Sequence, residues 1–556
     1  MHTHMPIGID NYGNAKENYY VVDKTKFIST FLKNHAQVTL FTRPRRFGKT
    51  MMLSMLRFFF DVVDAERNRH LFNGTTVADD AEAMKQQGTY PVLFLKLRDW
   101  KYADWATMQA GIATGMQEAL QPYAFLLDSA RVSDVDKANF RAIQARQADI
   151  TVLMGSVAML LRMLHAHYGR LPVLLLDEYD LPVQYAWEHG YYEQAIGFFR
   201  VFLTAALKSN DDLAFAVLTG VLRIAKESIF SDLNNVKVDS LLHAQYPEAF
   251  GFTPAEVRHM AEDLGCEDKL PEIQHWYDGY RFSGCAMYNP WSVINYFDND
   301  CQPRTYWVNT SGNAILGEML RYSRSQVLDK LEILLQGGSI ETRVREGFIY
   351  SEIYKQESAL YTMLVTTGYL TIKRVHEDEL GMQAELMLPN RELRSLFRIE
   401  ILERYRGGDM DMETEDLMRA FVSGDVETVR TGLAQYLELL TSSFDAARGK
   451  EAFYHGLILG LTATLVEDYR IRSNRESGYG RYDIAAFPRR AGLNGMIIEC
   501  KVAECEEALA DKAQEALQQI AVRDYDAEFR AQGIGKVFHY GIAFCGKKVQ
   551  IANQGI

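Results

Sequence analysis

Two groups of residues in this sequence have the types and spacing for phosphate chemistry. In the first, Arg43-Pro44-Arg45-Arg46-Phe47-Gly48-Lys49-Thr50 follows the short apolar run Val38–Thr42. A loop that wraps phosphates needs a preceding strand, exposed backbone N–H groups, a glycine for close approach, a lysine for the β and γ oxygens, and a Ser or Thr for Mg²⁺. Gly48, Lys49 and Thr50 supply the last three. A helix opening at Met51 would point its positive dipole end at the same phosphates. Arg43 stands where such loops usually carry their first glycine, so the opening turn is made by a residue with a Cβ. The plain alternative is a chance Gly-Lys-Thr on a surface loop.

A second motif weighs against chance. Leu174-Leu175-Leu176-Asp177-Glu178 is an apolar strand ending in two acids. Uncompensated charge at the end of a buried strand is costly unless a cation sits beside it. The expected division of labour gives Asp177 the hydrated Mg²⁺ and Glu178 the attacking water. A further apolar run ends in Thr219-Gly220, where Thr219 could sense the terminal phosphate. Arg223 follows, suited to stabilising transition-state charge in this subunit or in a neighbour, which leaves a homo-oligomer open; an ordinary surface arginine is the plain alternative. Arg45 and Arg46 are further phosphate candidates, although an exposed loop tolerates them without that role. Together these residues describe an ATP site with Mg²⁺.

The second group lies near the C-terminus. Glu499-Cys500-Lys501 ends the apolar run Met496-Ile497-Ile498, and alternation along a strand puts Glu499 and Lys501 on one face. Asp483, from the preceding strand, could join them. Two carboxylates beside an ammonium suit metal-assisted phosphodiester hydrolysis: the acids hold Mg²⁺ or Mn²⁺, the metal activates water, and Lys501 orients it. The Cys500 carbonyl would be an extra ligand, with its thiol toward the core. Glu476 is the preferred third acid, with Glu467 and Asp468 as rivals. His455 reads as a structural histidine, and Gln519 as a weaker candidate for placing a substrate backbone. A salt bridge between Glu499 and Lys501 on a solvated strand is the bland alternative. Residues 470–490 hold six arginines against two acids, an excess able to attract a phosphate backbone, or simply a charged hairpin edge.

The elements that must position these groups follow from pattern. Apolar runs at 38–42, 91–97, 171–176 and 213–219 suit buried parallel strands, and helical patterns such as 51–63 and 191–207 separate them. That alternation predicts a parallel sheet covered by helices on both faces. From residue 247 the chain turns rich in aromatics and turn formers, with Trp276-Tyr277-Asp278-Gly279-Tyr280 and Asn289-Pro290-Trp291-Ser292. Residues 300–445 read as mainly helical, with a short strand near 369–373 and breaks at Arg406-Gly407-Gly408-Asp409 and Ala447-Arg448-Gly449-Lys450. The last segment reads α-β-β-β-α-β: a helix over 453–466, a strand pair turning at Ser477-Gly478-Tyr479-Gly480, a strand at 495–499, a helix over 504–522 and a strand at 537–544. The expected domains are 1–245, 246–445 and 446–556.

A chain of 556 residues exceeds one ordinary hydrophobic core. It contains no run of 18 apolar residues, so no membrane partner is expected. An N-terminus without a basic-then-apolar pattern argues against secretion, and six scattered cysteines without a CxxC pair suggest neither zinc nor disulfides. A cytoplasmic protein is expected. The net charge of −13 speaks against a protein that coats nucleic acid, but not against a local basic cleft.

Tyr20-Val21-Val22-Asp23-Lys24-Thr25, the loop Thr42 to Thr50, Leu176-Asp177-Glu178-Tyr179-Asp180 and Thr219-Gly220-Val221-Leu222-Arg223-Ile224 resemble the bacterial AAA-ATPase-like family. The resemblance continues through the two aromatic motifs. That family is typically fused to a C-terminal PD-(D/E)xK nuclease-like domain, which the stretch from Asn474 to Asp483 also resembles. The resemblance implies an N-terminal P-loop NTPase domain, a helical lid and connector, and a restriction-endonuclease-like α/β domain. It makes Arg43 a family feature of the loop. The expected function is an ATPase coupled to a metal-dependent nuclease acting on nucleic acid, DNA favoured; the alternative is an ATP-dependent switch whose nuclease-like domain binds without cutting.

Overall fold

The computed structural model describes residues 3–224, 235–307, 330–331, 333–335, 337–345, 347, 356–379, 381–397, 414–439, 451–462, 465, 468–477 and 480–555; the side chains of 414–415, 438–439, 451–453, 456, 460, 474–477 and 480–481 fall outside that description. Contacts group the chain into two compact units. The first is Met1–Tyr306 with Glu341–Asn390, and the second is Trp307–Ile340 with Arg391–Ile556.

The first unit is built on a parallel sheet of five strands: β1 (Val38–Thr42), β2 (Val92–Lys96), β3 (Val173–Asp177), β4 (Phe215–Gly220) and β5 (Val236–Asp239), in the order β2-β3-β4-β1-β5. β1, β3 and β4 are central and buried along their whole length, so apolar side chains serve on both faces and the run is continuous rather than alternating. Four of these strands match the sequence expectation. β5 was not anticipated: Val-Lys-Val-Asp is four residues long, partly exposed and at the sheet edge, so it carries no apolar run. The helix Lys49–Phe60 leaves β1 through the loop at 43–48. Ile150–Tyr168 has the length and apolarity of a membrane span, yet it packs against Tyr192–Leu207 within the unit.

The middle of the chain is mostly helical, as expected. Pro254–Leu264 starts with a capping box between Thr253 and Glu256, has proline in its first turn and stops at left-handed Gly265. Pro290–Asp298 is capped by the Asn289 side chain. Between them, β6 (Tyr280–Phe282) and β7 (Cys285–Met287) make a hairpin. The single strand expected near residue 370 is part of a three-stranded sheet of β8 (Ser339–Arg343), β9 (Thr371–Asp378) and β10 (Gly381–Met387), in the order β8-β10-β9. β9 is exposed over most of its length, which removes the apolar signal that would have extended it. Both expected breaks, at 406–409 and 447–450, lie outside the described residues.

The second unit ends in a mixed sheet of β11 (Tyr469–Ser477), β12 (Gly480–Pro488), β13 (Gly495–Val502), β14 (Val537–Cys545) and β15 (Lys548–Gly555), paired in chain order. Only β13 and β14 run parallel, and the helix Leu509–Val522 makes the crossover between them. The expected α-β-β-β-α-β order is present, with a short helix, Ala527–Ala531, and the edge strand β15 added. β15 is polar and half-exposed, so its sequence gives little apolar signal. The turn expected at Ser477-Gly478-Tyr479-Gly480 falls partly on residues 478 and 479, which lie outside the described residues.

Candidate functional site

The C-terminal ends of β1, β3 and β4 lie side by side, and the first group of residues meets there. Backbone bonds align these ends: Arg43 N–H donates to Gly220 O at 3.1 Å and Tyr179 N–H to Thr219 O at 3.1 Å. Asp177, only 2 % exposed, accepts from Thr50 Oγ1 at 2.6 Å on one oxygen and from Thr219 Oγ1 at 2.5 Å on the other. The two hydroxyls fix the carboxylate between the start of the helix Lys49–Phe60 and β4. Thr50 and Asp177 together are the hard oxygen donors that Mg²⁺ takes.

Lys49 is buried, and its Nζ donates to the carbonyls of Arg43 at 3.0 Å and Pro44 at 2.8 Å, curling over the mouth of its own loop. Burial lowers its pKa, opposed by the carboxylates of Glu178, Asp180 and Asp177. Glu178 adopts a left-handed φ of 54°, uncommon for a residue with a Cβ, and its buried Oε2 has no hydrogen-bond partner among the described residues. Burial raises its pKa, with Lys49 pulling it back down and the neighbouring acids adding to the rise. That environment suits a proton acceptor poised closer to neutrality than an ordinary carboxylate.

The loop curls because Arg46, at φ 67°, and Gly48, at φ 80°, both take left-handed conformations; nothing lies within 4 Å of where a Gly48 Cβ would sit, so its demand is conformational. Phe47 is buried against Tyr280 and Phe282, and its carbonyl accepts from Gly251 N–H, which anchors the loop's outer side. Arg43 is wholly buried and turned into the protein: its guanidinium pairs with the Asp239 carboxylate on β5, donates to Asp239 O at 2.8 Å, and lies against Phe250 and Phe282. It thus offers the loop its backbone, while its side chain ties the loop to the sheet edge. Arg45 reaches toward Gln184 at 3.5 Å.

Two residues without an assigned role in the sequence complete the frame. Asp180 accepts from Val221 and Leu222 N–H at 2.9 and 2.7 Å, and Tyr179 Oη donates to Leu222 O at 2.7 Å and accepts from Ile224 N–H at 3.1 Å. They bracket Arg223 and hold the segment after β4. Gly220 is required there, since a Cβ would meet the Tyr179 ring at 2.6 Å and Asp180 Oδ1 at 2.7 Å. The third acid of Asp177-Glu178-Tyr179-Asp180 was the available signal for Asp180; nothing in a single sequence ties it to backbone forty residues on.

A cavity of about 450 Å³ opens beside the loop. Gly48, Lys49, Thr50 and Glu178 line it together with the apolar side chains Val22, Met55, Phe252, Met260, Trp291 and Ile294. A lining that joins phosphate-binding groups to apolar side chains is the mixture a nucleotide needs. Arg98, just past β2, also lines this cavity and lies close enough to oppose the rise in the Glu178 pKa. Arg223 does not line it.

The second group assembles on β12 and β13. Ile484 pairs with Ile498 and Ala485 with Ile497, and one further step of that register sets Asp483 beside Glu499. Asp483 Oδ2 accepts from Cys500 N–H at 2.6 Å, and Glu499 Oε2 from Asp483 N–H at 3.3 Å. Burial pushes the Asp483 carboxyl up to about 6, opposed by the Cys500 N–H and by Lys501. The helix Leu509–Val522 supplies two more groups one turn apart: Gln519 Nε2 donates to Glu499, and Glu515 pairs with Lys501 Nζ at 3.3 Å. Gln519 therefore belongs to the acid pair, and Glu515, for which sequence gave no cue, holds the lysine. Cys500 is buried.

The remaining candidates are accounted for as follows. His455 is buried with Nε2 3.0 Å from Ser473 Oγ, the structural part expected of it. Asp468 pairs with Arg490. Arg470 and Arg472 lie over Phe487, and Arg472 pairs with Glu528, so these two arginines are held on the sheet. The Glu476 side chain and all of Glu467 lie outside the described residues. Among the described residues, no group of three or more His, Cys, Asp or Glu side chains is gathered as a metal site. Asp483, Glu499 and the Cys500 carbonyl are nonetheless hard donors of the kind Mg²⁺ or Mn²⁺ accepts.

Residues 6–230 match the family model described as Predicted AAA-ATPase, and residues 449–554 match the one described as PD-(D/E)XK nuclease superfamily. The chain is also 26% identical over 540 residues to an uncharacterized protein in the vnfD 5′ region of Azotobacter chroococcum mcd 1, covering 95% of this chain and 94% of the relative. An AAA-ATPase-like module and a nuclease-superfamily module are thus joined in one chain, and the likeness to the relative spans nearly all of it.

Proposed function

We propose that this protein hydrolyses ATP in its first 245 residues and uses the result to control a metal-dependent phosphodiesterase in residues 446–556, with 246–445 as lid and connector. The observation that carries the first half is the meeting of Lys49, Thr50, Asp177, Glu178 and Thr219 at three adjacent strand ends beside one nucleotide-sized cavity. Lys49 and the loop N–H groups bind the phosphates. Glu178 orients the attacking water and accepts its proton, and Thr219 reports the terminal phosphate through Asp177. Mg²⁺, held by Thr50 and Asp177, would neutralise charge on the phosphates.

For the second half, Asp483 and Glu499 are assigned to the metal and Lys501 to positioning water, with DNA as the favoured substrate. The Lys501–Glu515 ion pair favours one second reading, a domain that binds nucleic acid without cutting it, because the ammonium must leave Glu515 to serve water. Purified protein with Mg²⁺ or Mn²⁺ and ATP, tested on linear, circular and single-stranded DNA and on RNA, separates the two. Cutting that Asp483→Ala and Lys501→Ala both abolish supports a nuclease. ATP turnover with nucleic-acid binding and no cutting supports the switch. No ATP turnover by wild type, with Lys49→Ala as the blank, removes the proposal.

A further inference from the structure

Two motifs prominent in the sequence, Trp276–Tyr280 and Asn289–Ser292, have no part in the chemistry above, yet both grip one short stretch of backbone. Tyr277 Oη donates to Arg304 O at 2.9 Å and accepts from Arg304 N–H at 3.0 Å. Trp291 Nε1 donates to Tyr306 O at 2.9 Å. A third group reaches the same carbonyl from the phosphate loop: Arg46 Nη1 donates to Tyr306 O at 3.0 Å, with its guanidinium 4.4 Å above the Trp291 ring. Arg46 and Trp291 also line the nucleotide cavity with Lys49 and Glu178. Tyr306 is where the chain leaves the N-terminal unit; the next residue, Trp307, belongs to the other unit and donates its N–H to buried Glu392 at 2.9 Å.

We propose that Arg46 is a positioning residue shared between the nucleotide's phosphates and the Tyr306 carbonyl, so that it transmits occupancy of the cavity to the backbone at Arg304–Tyr306. The inference rests on the ATP reading above. A phosphate oxygen is a charged acceptor and the Tyr306 oxygen a neutral one, so a phosphate adds charge–charge attraction, and two parallel N–H···O bonds to the planar guanidinium, beyond the single charge-assisted bond that Arg46 makes to Tyr306 O. Arrival of a triphosphate therefore draws the guanidinium off the carbonyl and off the indole face, leaving Trp291 Nε1 as the remaining one of those two donors. Such a ligand shifts the equilibrium because it interacts differently with the two positions of Arg46. The backbone so released is covalently continuous with Trp307, which gives nucleotide state a route toward the nuclease-bearing unit.

Hydrogen–deuterium exchange on the full chain, read on peptides covering residues 300–307 with and without Mg²⁺ and a nonhydrolysable ATP analogue, tests this. Wild type is expected to exchange about tenfold faster in this stretch with nucleotide, the scale of withdrawing one charge-assisted hydrogen bond. Arg46→Ala should show the faster exchange without nucleotide and no further change with it. Arg46→Lys should keep part of the response, and Trp291→Phe, which retains a ring while removing the other donor, should give an intermediate rise without nucleotide. A fluorescent nucleotide titration runs alongside. Wild type that binds nucleotide with no change at 300–307, or Arg46→Ala that responds like wild type, overturns the inference alone. Wild type that binds no nucleotide overturns the ATP reading and this inference with it.

Discussion

The two candidate sites are assembled over very different distances along the chain. At the nucleotide site, the Asp177 carboxylate is held by Thr50 from 127 residues earlier and by Thr219 from 42 residues later. At the C-terminal site, Asp483, Glu499 and Lys501 lie on one antiparallel strand pair, and the groups that brace them come from the next helix. A parallel sheet collects strand ends that are remote in sequence, because each strand needs a crossover to return. An antiparallel pair brings its chemistry together locally. The first arrangement fastens Asp177 from two distant segments, whereas in the second Lys501 is held by an exposed helix residue that can let go.

The largest test of this contrast is on the frame of the first site. Asp239→Ala leaves the Arg43 guanidinium buried and unpaired, and unfolding in urea should show a loss of about 3–5 kcal/mol. Glu515→Ala, at the looser site, should leave the urea midpoint close to that of wild type, as for other exposed ion pairs. Similar losses for the two would erase the distinction.

Next comes chemistry. Glu178→Gln keeps the shape and removes the base, so ATP turnover should fall about 100-fold or more while nucleotide still binds. An unchanged kcat would remove Glu178 from its role. Because burial raises the Glu178 pKa, wild-type turnover should rise with pH as this group loses its proton, and the Gln variant should lack that limb.

Asp483 gives a smaller effect with a definite sign. Its folded pKa, near 6, is above the unfolded value, so the folded state binds the extra proton and stability falls as pH rises from about 4 to 6. Asp483→Asn should therefore be more stable than wild type at pH 7, by about 1–2 kcal/mol, and lose that advantage near pH 4. Mn²⁺ affinity of the wild-type site should rise through the same window, followed by calorimetry. A variant less stable than wild type at pH 7 would mean that the carboxylate is held by favourable contacts after all.

The smallest expected effect is at Gln519. Its amide donates to Glu499, so Gln519→Ala should weaken Mn²⁺ binding by about tenfold, the usual range for a residue that orients a ligand. Wild-type affinity in the variant would make Gln519 a packing residue.

Much of this was legible without coordinates. The central strands could be read because burial on both faces leaves continuous apolar runs, and the Gly48-Lys49-Thr50 and Asp177-Glu178 pairs could be read because the chemistry restricts those positions to a few residue types. Glu499 and Lys501 followed from alternation along a strand, and Asp483 from its place on the strand before. The edge strands β5 and β15 were not legible, since partial exposure lets polar residues interrupt the pattern. Glu515 looks like any solvated helix acid.

By itself, the sequence determined the parallel sheet and the order of elements in the last domain, and it marked the candidates for phosphate chemistry, all of which depend on periodicity and side-chain chemistry over short spans. Only the tertiary structure decided what Arg43 and Arg46 do. They are arginines of one loop separated only by Pro44 and Arg45, yet one is buried against Asp239, 196 residues away, and the other reaches the Tyr306 carbonyl, 260 residues away. A guanidinium's role is set by the acceptor it finds, and those acceptors exist only once distant segments have packed around the loop.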